Sequence, residues 1–132
     1  YNTPPWLNRS QEGLTRLHVF IGPGTAFESE HLTLHDFSDT IANTVLIVET
    51  DDLVPWTKPE DLVYDPDKPL PQFTTHPRAL HFLGWRTGTT HGFVFGFADG
   101  RARFVDSKTK ESTIRALINR NSGEKVDVSD LD

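Results

Sequence analysis

The sequence predicts an α+β domain in which an antiparallel β-sheet is closed by a C-terminal helix. Three observations support this prediction. The chain has 132 residues, which fits one domain spanning residues 1–132. Asp99 and Gly100 stand between two alternating apolar runs, which predicts a β-hairpin over residues 92–105. Apolar residues spaced three and four apart then predict a helix over residues 109–121.

The composition excludes several classes of protein. Hydrophobic residues make up 36% and charged residues 24%, which argues against disorder. The net charge of −6 and the lack of a basic run argue against nucleic acid as a partner, since such binding requires phosphate neutralisation. There is no cysteine, so disulfides and thiolate metal sites are excluded. Because the chain starts at Tyr1 and contains no methionine, we expect a processed form or fragment whose export signal is gone.

The N-terminal part is expected to contain a lead-in and two strands. Residues 1–13 are polar and contain two adjacent prolines. Residues 14–21 alternate, which predicts a strand that Gly22-Pro23-Gly24 ends. One face of this strand is predicted to carry Leu17, Val19 and Ile21. Residues 44–49 form a short β-branched run, apolar on both faces, which predicts a buried central strand.

Residues 50–77 are rich in proline and acidic residues. Six prolines are interleaved with six carboxylates, and prolines at this density do not fit a helix interior or a central strand. The segment is therefore predicted to be a long acidic surface loop. Calcium is the one cofactor that this loop suggests, because it takes several oxygen ligands, although no EF-hand spacing is present and a solvated loop is the simpler interpretation. The candidate calcium ligands are Asp51, Asp52, Asp65 and Asp67.

The hairpin and the helix are expected to share one core. If Asp99 and Gly100 alone form the loop, a structural role for both, Phe95 stands opposite Phe104. One face of the hairpin then carries Phe93, Phe95, Phe97 and Phe104. Thr109 is the expected N-cap of the helix. The apolar stripe of the helix, expected to cover the phenylalanine face, consists of Ile114, Leu117 and Ile118.

Two groups of side chains suggest other chemistry. The aromatic residues Trp56, Tyr64 and Trp85 could form a platform for a sugar or a protein partner, although tryptophan beside proline is more often a packing anchor. Histidines could hold a metal or act as a base, although ordinary surface histidines are the simpler interpretation. The two histidine sets are His31 and His35 with Asp36, and His76, His81 and His91. Neither a glycine-rich phosphate loop nor a Gly-x-Ser-x-Gly elbow is present.

Several motifs together resemble one family. They are VFIGPGTAF at 19–27, DTIANT at 39–44, LIVE at 46–49, VPWTKPEDL at 54–62, FADGRARFV at 97–105 and TIRALI at 113–118. This set resembles the planctomycete-type prepilin-like proteins of unknown function, which carry a C-terminal His-x9-Asp-Gly motif. Seven residues separate His91 from Asp99 here, and Thr89 occupies the position of the motif histidine. The family sequence Asp-Gly-Thr-Ser-Asn-Thr corresponds to residues 39–44 of this chain, where Thr40 stands in place of the glycine.

The resemblance implies a structural protein of the cell envelope or the extracellular space. Family members begin with a type IV pilin-like helix that a prepilin peptidase processes, and this helix is absent from the sequence. In pilin-like and pseudopilin folds the sheet packs on that helix, so the phenylalanine face is expected to dock it or a neighbouring subunit. The implied partners are other copies of the chain or envelope assembly proteins, with no nucleic acid, and with membrane contact only through the absent helix. The resemblance implies no catalytic residues.

Two other functions stay open at this point. A module that binds polysaccharide or a cell-surface partner would use the aromatic platform. A histidine-dependent metalloenzyme would use one of the two histidine sets.

Overall fold

The computed structural model describes residues 13–37, 41–58, 60–124 and 126. Apart from Gly13, the predicted lead-in lies outside the described residues, and so does Asp39 of the family motif. The strands are β1 (Leu14–His18), β2 (Phe20–Ile21), β3 (Val45–Pro55), β4 (Leu62–Val63), β5 (His76–Phe82), β6 (Trp85–Phe97) and β7 (Ala102–Asp106), and the helix is α1 (Glu111–Ile118). Short 3-10 turns lie at Leu34–Asp36 and Ile41–Asn43. The mostly antiparallel sheet with one helix confirms the α+β class. Within the described ranges, no helix is both long and apolar enough to cross a membrane.

The main sheet has five strands in the order β1-β3-β6-β5, and β7 also pairs with β6. All of these pairs are antiparallel, whereas β2 and β4 form a separate parallel pair. Gly96 pairs with Ile47 of β3 and with β7, and Gly92 pairs with His76 of β5 and with β7. Since a strand has only two edges, β3 and β5 lie end to end along one edge of β6, and β7 lies along the other. The outer half of β6 therefore extends beyond β7 and pairs with β5 as a two-stranded ribbon.

The first strand differs from its prediction. The pairing breaks at Val19, which separates β1 from β2, and the expected apolar face is the outer one: Leu17 is 55% exposed, whereas His18 is 4% exposed. His18 tolerates burial because its ring is hydrogen-bonded. Its Nδ1 lies 2.8 Å from the Glu60 carbonyl oxygen and its Nε2 lies 3.3 Å from that of Asp52. The alternation was visible in the sequence, but the polar histidine concealed which face is buried.

The loop predicted for residues 50–77 is wrong over three stretches. Strand β3 continues to Pro55, β4 lies within the segment, and β5 begins at His76 and includes Pro77. Pro55 ends its strand, and Pro77 lies on a strand that pairs along one edge only. Both are positions where the missing N–H of proline is tolerated. The segment also supplies Phe73, which bridges to Thr50 and lies in the core.

The turn at Asp99 and Gly100 has three loop residues and not two. The N–H of Phe97 donates to the carbonyl of Arg101 at 2.9 Å, and the N–H of Gly100 donates to the carbonyl of Phe97 at 3.0 Å. Gly100 has a φ of 82°, the left-handed conformation expected for the last residue of such a loop. Asp99 fixes the turn by accepting hydrogen bonds from the Arg101 N–H at 3.0 Å and from the Arg103 guanidinium at 2.8 Å.

The extra loop residue shifts the hairpin register by one. Phe95 pairs with Arg103, and Phe104 pairs with Val94, so the predicted pair of Phe95 and Phe104 is wrong. A shift of one residue moves every side chain of a strand to the other face. Phe104 therefore leaves the phenylalanine face, and Val105 takes its place in the core.

The helix is shorter than predicted. It covers Glu111–Ile118, its N-cap is Lys110, and no side chain caps it. The expected cap, Thr109, lies in the preceding turn, where its N–H donates to the Asp106 carbonyl at 2.9 Å. The apolar stripe agrees with the prediction, because Ile114, Leu117 and Ile118 are all buried.

The phenylalanine face is covered and does not form a docking surface. Phe95 is 0% exposed and packs edge-on against Phe73, with ring centroids 4.9 Å apart. The cover includes the helix stripe and aromatic residues from the connecting segments. These core residues are Phe20, Tyr64, Phe73, Ile114, Leu117 and Ile118. The expectation that this face awaits a pilin-like helix is therefore wrong, because the chain supplies its own cover.

Candidate interaction surfaces

The ribbon formed by β5 and the outer half of β6, residues 76–91, ends in an apolar tip. Leu83 and Gly84 form a two-residue loop with φ values of 50° and 82°, as a type I′ turn requires. Phe82 and Trp85 pair directly across the ribbon behind this loop. Phe82, Leu83 and Trp85 are 68%, 84% and 79% exposed. We call these three residues, together with the half-exposed Leu80, the ribbon tip.

The ribbon also differs in charge from the rest of the chain. Residues 76–91 contain two arginines, Arg78 and Arg86, and three histidines, but no aspartate or glutamate. The whole chain has a net charge of −6, so the remaining residues carry a net charge of −8 (−6 minus +2). The ribbon is therefore a cationic projection from an acidic protein.

A second apolar surface is formed by the face of the main sheet opposite the helix. Leu17, Ile47 and Val94 lie on β1, β3 and β6, and each precedes a buried residue, namely His18, Val48 and Phe95. Because successive side chains of a strand alternate between faces, the three residues share the outer face. All three are substantially exposed. We call this row, with Phe104, which pairs with Val94 at the edge, the open face.

Gly92 allows Phe104 to close the edge of the open face. A Cβ atom placed on Gly92 would lie 2.7 Å from two ring carbons of Phe104 and 2.2 Å from the carbonyl oxygen of Val105. The guanidinium of Arg78 also lies over this ring, with its Cζ 5.3 Å from the ring centroid. The ring therefore contacts both the backbone at Gly92 and a cation from the ribbon.

Polar pairs surround the open face. The Nε2 of His76 lies 2.7 Å from a carboxylate oxygen of Glu49, which joins the base of the ribbon to β3. The Thr90 hydroxyl donates to Asp106 at 2.6 Å, and the N–H of Lys108 donates to the other carboxylate oxygen at 2.8 Å. These bonds, the Thr90 bond above all, favour the ionised carboxylate and lower the pKa of Asp106 below its ordinary value.

The three residues of the predicted aromatic platform do not form one exposed surface. Tyr64 is buried in the core, where Arg115 lies over its ring at 5.9 Å. Trp56 is exposed after the end of β3, where its ring lies 3.8 Å from the Cβ position of Gly13. Trp85 belongs to the ribbon tip. Both tryptophans are therefore exposed, against the simpler interpretation of Trp56 as a packing anchor, whereas the tyrosine packs in the core.

The candidate calcium ligands lie in two places. Asp51 and Asp52 are neighbours on β3, so their side chains diverge, and Asp51 accepts a hydrogen bond from the Thr74 hydroxyl at 3.0 Å. Asp65 and Asp67 lie in a turn, where Asp65 accepts the N–H of Asp67 at 2.9 Å. Across residues 13–37, 41–58, 60–124 and 126, no three histidine, aspartate or glutamate side chains form a group that could hold a metal.

The histidine sets do not form ligand groups either. His35 and Asp36 lie in a three-residue 3-10 turn and not on a helix. Asp36 accepts hydrogen bonds from the N–H of Thr33 at 2.7 Å and from its hydroxyl at 2.9 Å, which lower its pKa. His76 and His91 lie at the base of the ribbon, and His81 lies near its tip.

The ribbon tip is a surface that was not predicted from the sequence. Its signal was present as the apolar run Phe82-Leu83-Gly84-Trp85 between two stretches of strand-forming residues. A glycine preceded by leucine is an unusual loop, because Asn-Gly and Asp-Gly are the preferred pairs. The Asp99-Gly100 pair matched that preference, and it turned out to form the longer loop.

Comparisons with known proteins found no relative. The sequence matches no protein-family model, and no curated protein and no solved structure is significantly similar to it.

Proposed function

We propose that this chain is the globular domain of an exported, pilin-like surface or secretion-assembly protein, and that its role is structural and not enzymatic. One observation supports the proposal most. The sheet is covered by the chain's own helix on one face, whereas the open face presents an uncovered apolar row. The sequence motifs that resemble prepilin-like proteins also support the proposal, since the resemblance implies a protein that packs against neighbouring subunits.

The occupant that we propose for the open face is a second copy of this chain. Leu17, Ile47 and Val94 lie on three neighbouring strands and form an apolar strip, as is typical of the centre of protein interfaces. Glu49 and His76 lie beside this strip as a hydrogen-bonded pair, with 2.7 Å between Nε2 and the carboxylate oxygen. A two-fold interface requires a patch that can contact itself, and a row of apolar side chains meets this requirement.

Sedimentation velocity over a range of concentrations tests this role. We expect the wild-type domain to self-associate and the Ile47→Lys variant to be monomeric at the same concentrations. Val63→Lys is the control, because Val63 is also an exposed β-branched strand residue but lies on β4, outside the main sheet. Exposed substitutions change stability by only about 0.5 kcal/mol, so both variants should remain folded by circular dichroism. A wild-type domain that is monomeric throughout, or an Ile47→Lys variant that still associates, would refute the proposal.

A binding module for polysaccharide is the second candidate. The high exposure of Trp56 and Trp85 favours it, because an exposed tryptophan ring can stack on a sugar. Calorimetric titration with envelope polysaccharides measures such binding directly. We expect Trp56→Ala or Trp85→Ala to abolish the heat of binding if this candidate is correct. Binding that survives both substitutions would eliminate the two residues as the platform.

A further inference from the structure

The ribbon tip combines large exposed apolar side chains with an unfavourable backbone conformation. Leu83 has a φ of 50°, the left-handed region that costs a residue with a Cβ atom roughly 1–2 kcal/mol. Glycine would form the same loop without this strain and asparagine with less of it, and neither would expose apolar surface. Neither the turn nor the solubility of the domain explains leucine at this position. The exposed leucine is therefore free to contact a surface outside the domain.

The charges behind the tip identify the kind of surface that would be contacted. Arg86 follows Trp85 directly, and Arg78 lies further along the partner strand. No carboxylate occurs on the ribbon, although the rest of the chain is acidic. Apolar residues at the end of a projection, followed by cations, complement a surface whose interior is apolar and whose boundary is anionic.

We propose that the ribbon tip inserts into the surface of a membrane that contains anionic phospholipid. Strand residues rise about 3.4 Å each, so the apolar residues from the Leu83 loop back to Leu80 span roughly 10 Å. Peripheral segments bury their apolar face about 5–10 Å into the boundary of the headgroups and the acyl chains. Arg86 pairs with His81, one position behind the Phe82–Trp85 pair, so insertion of Phe82, Leu83 and Trp85 brings the Arg86 side chain to the level of the lipid phosphates. Tryptophan favours this boundary because its ring is apolar and its N–H is polar, which suits Trp85.

The shape of the ribbon favours a lipid surface over a second copy of the chain. The tip is convex and narrow, since it is the end of two paired strands with exposed residues on both faces. A soft bilayer accommodates such a shape, whereas a rigid partner would need a matching groove. The inference goes beyond the proposed function and does not depend on it, because the ribbon tip and the open face are separate surfaces with separate variants.

Sedimentation with vesicles tests the insertion. The probes are vesicles of phosphatidylcholine alone and vesicles containing one-third phosphatidylglycerol. We expect the wild-type domain to bind the anionic vesicles at 0.1 M salt and much more weakly at 0.5 M, because the charges of Arg86 and Arg78 are then screened. Leu83→Asn should weaken binding at least tenfold, roughly the effect of leaving one large apolar side chain in water. This variant also relieves the strained φ, so its loss of binding is not a loss of fold.

Three further variants complete the test. Trp85→Thr should weaken binding about tenfold or more, and Arg86→Gln about fivefold, which corresponds to one cation near the surface. Trp56→Thr is the matched control, since Trp56 is also exposed but lies off the ribbon, and it should bind as the wild type does. No binding to anionic vesicles, or equal binding by wild type and Leu83→Asn, would overturn the inference. Self-association that Leu83→Asn abolishes, without vesicle binding, would overturn it in favour of a second copy.

Discussion

Replacing Gly92 by alanine should destabilise this protein far more than the addition of one methyl group usually does. The new Cβ atom would lie 2.2 Å from the carbonyl oxygen of Val105, which is closer than any real contact. Backbone atoms cannot rotate away as a side chain can, so β6 and β7 must separate locally. The ring of Phe104, 2.7 Å from the same Cβ position, must also leave its place on the glycine.

The magnitude follows from these two displacements. Overpacking a well-packed site costs about 1–3 kcal/mol. Each ladder hydrogen bond lost at the separated strands adds about 0.5–1.5 kcal/mol. Alanine also lowers the conformational entropy of the unfolded chain, which offsets only about 0.4–1 kcal/mol of this destabilisation. We therefore expect Gly92→Ala to lower the free energy of unfolding by about 2–4 kcal/mol.

Urea denaturation measures this loss against a control on the same strand. Gly88 also lies on β6, but a Cβ atom there would meet only a Leu80 methyl group at 3.9 Å. Gly88→Ala should therefore be neutral or slightly stabilising, within about 1 kcal/mol. With a slope of about 1–3 kcal/mol per molar urea, the two midpoints should differ by about 1 M or more. Equal midpoints for the two variants would refute the packing of Phe104 on Gly92.

Two other predictions concern polar contacts. Thr90→Val removes the hydroxyl donor, so the pKa of Asp106 should rise towards its ordinary value of 3.8 in a carbon-detected NMR titration. In the wild type the ionised Asp106 carboxylate contributes stability that is fully present above pH 3.8. This contribution is lost as the pH falls through the lowered pKa of Asp106. Acid should therefore remove less stability from the variant, because its Asp106 pKa lies closer to the ordinary value. An unchanged Asp106 pKa would contradict the assignment. Arg115 donates to Glu111 and to the carbonyl of Lys68 at 2.6 Å. Arg115→Gln should therefore cost about 1.5–3 kcal/mol by thermal denaturation, and Glu111→Gln less than about 0.5 kcal/mol. Equal losses would show that the surface ion pair alone matters.

The two proposed surfaces can be distinguished by variants that do not overlap. Ile47→Lys lies on the open face and should affect association between copies only. Leu83→Asn lies on the ribbon tip and should affect vesicle binding only. Either surface can fail its test without changing the expectation for the other.

Local patterns in the sequence predicted the elements that depend on local physics. The helix stripe of Ile114, Leu117 and Ile118 is visible because three- and four-residue spacing places side chains on one side of any helix. The alternation around Phe95 predicted a strand for the same kind of reason. The site was predicted less well, since Trp85 was recognised as a candidate but Leu80, Phe82 and Leu83, the other residues of the ribbon tip, were not.

Tertiary structure decided the features that depend on which surfaces meet. The number of loop residues in the Asp99-Gly100 turn, two or three, decides on which face of the hairpin Phe104 lies. The sequence is compatible with both loops. Phe73 lies in a proline-rich segment that looked solvated, yet it fills the centre of the core because the phenylalanine face needs a cover. Local spacing therefore determined the helix and the strands around Val48, Phe95 and Val105. Strands β4 and β5, the covered face, the open face and the apolar ribbon tip arise from contacts between residues distant in the chain.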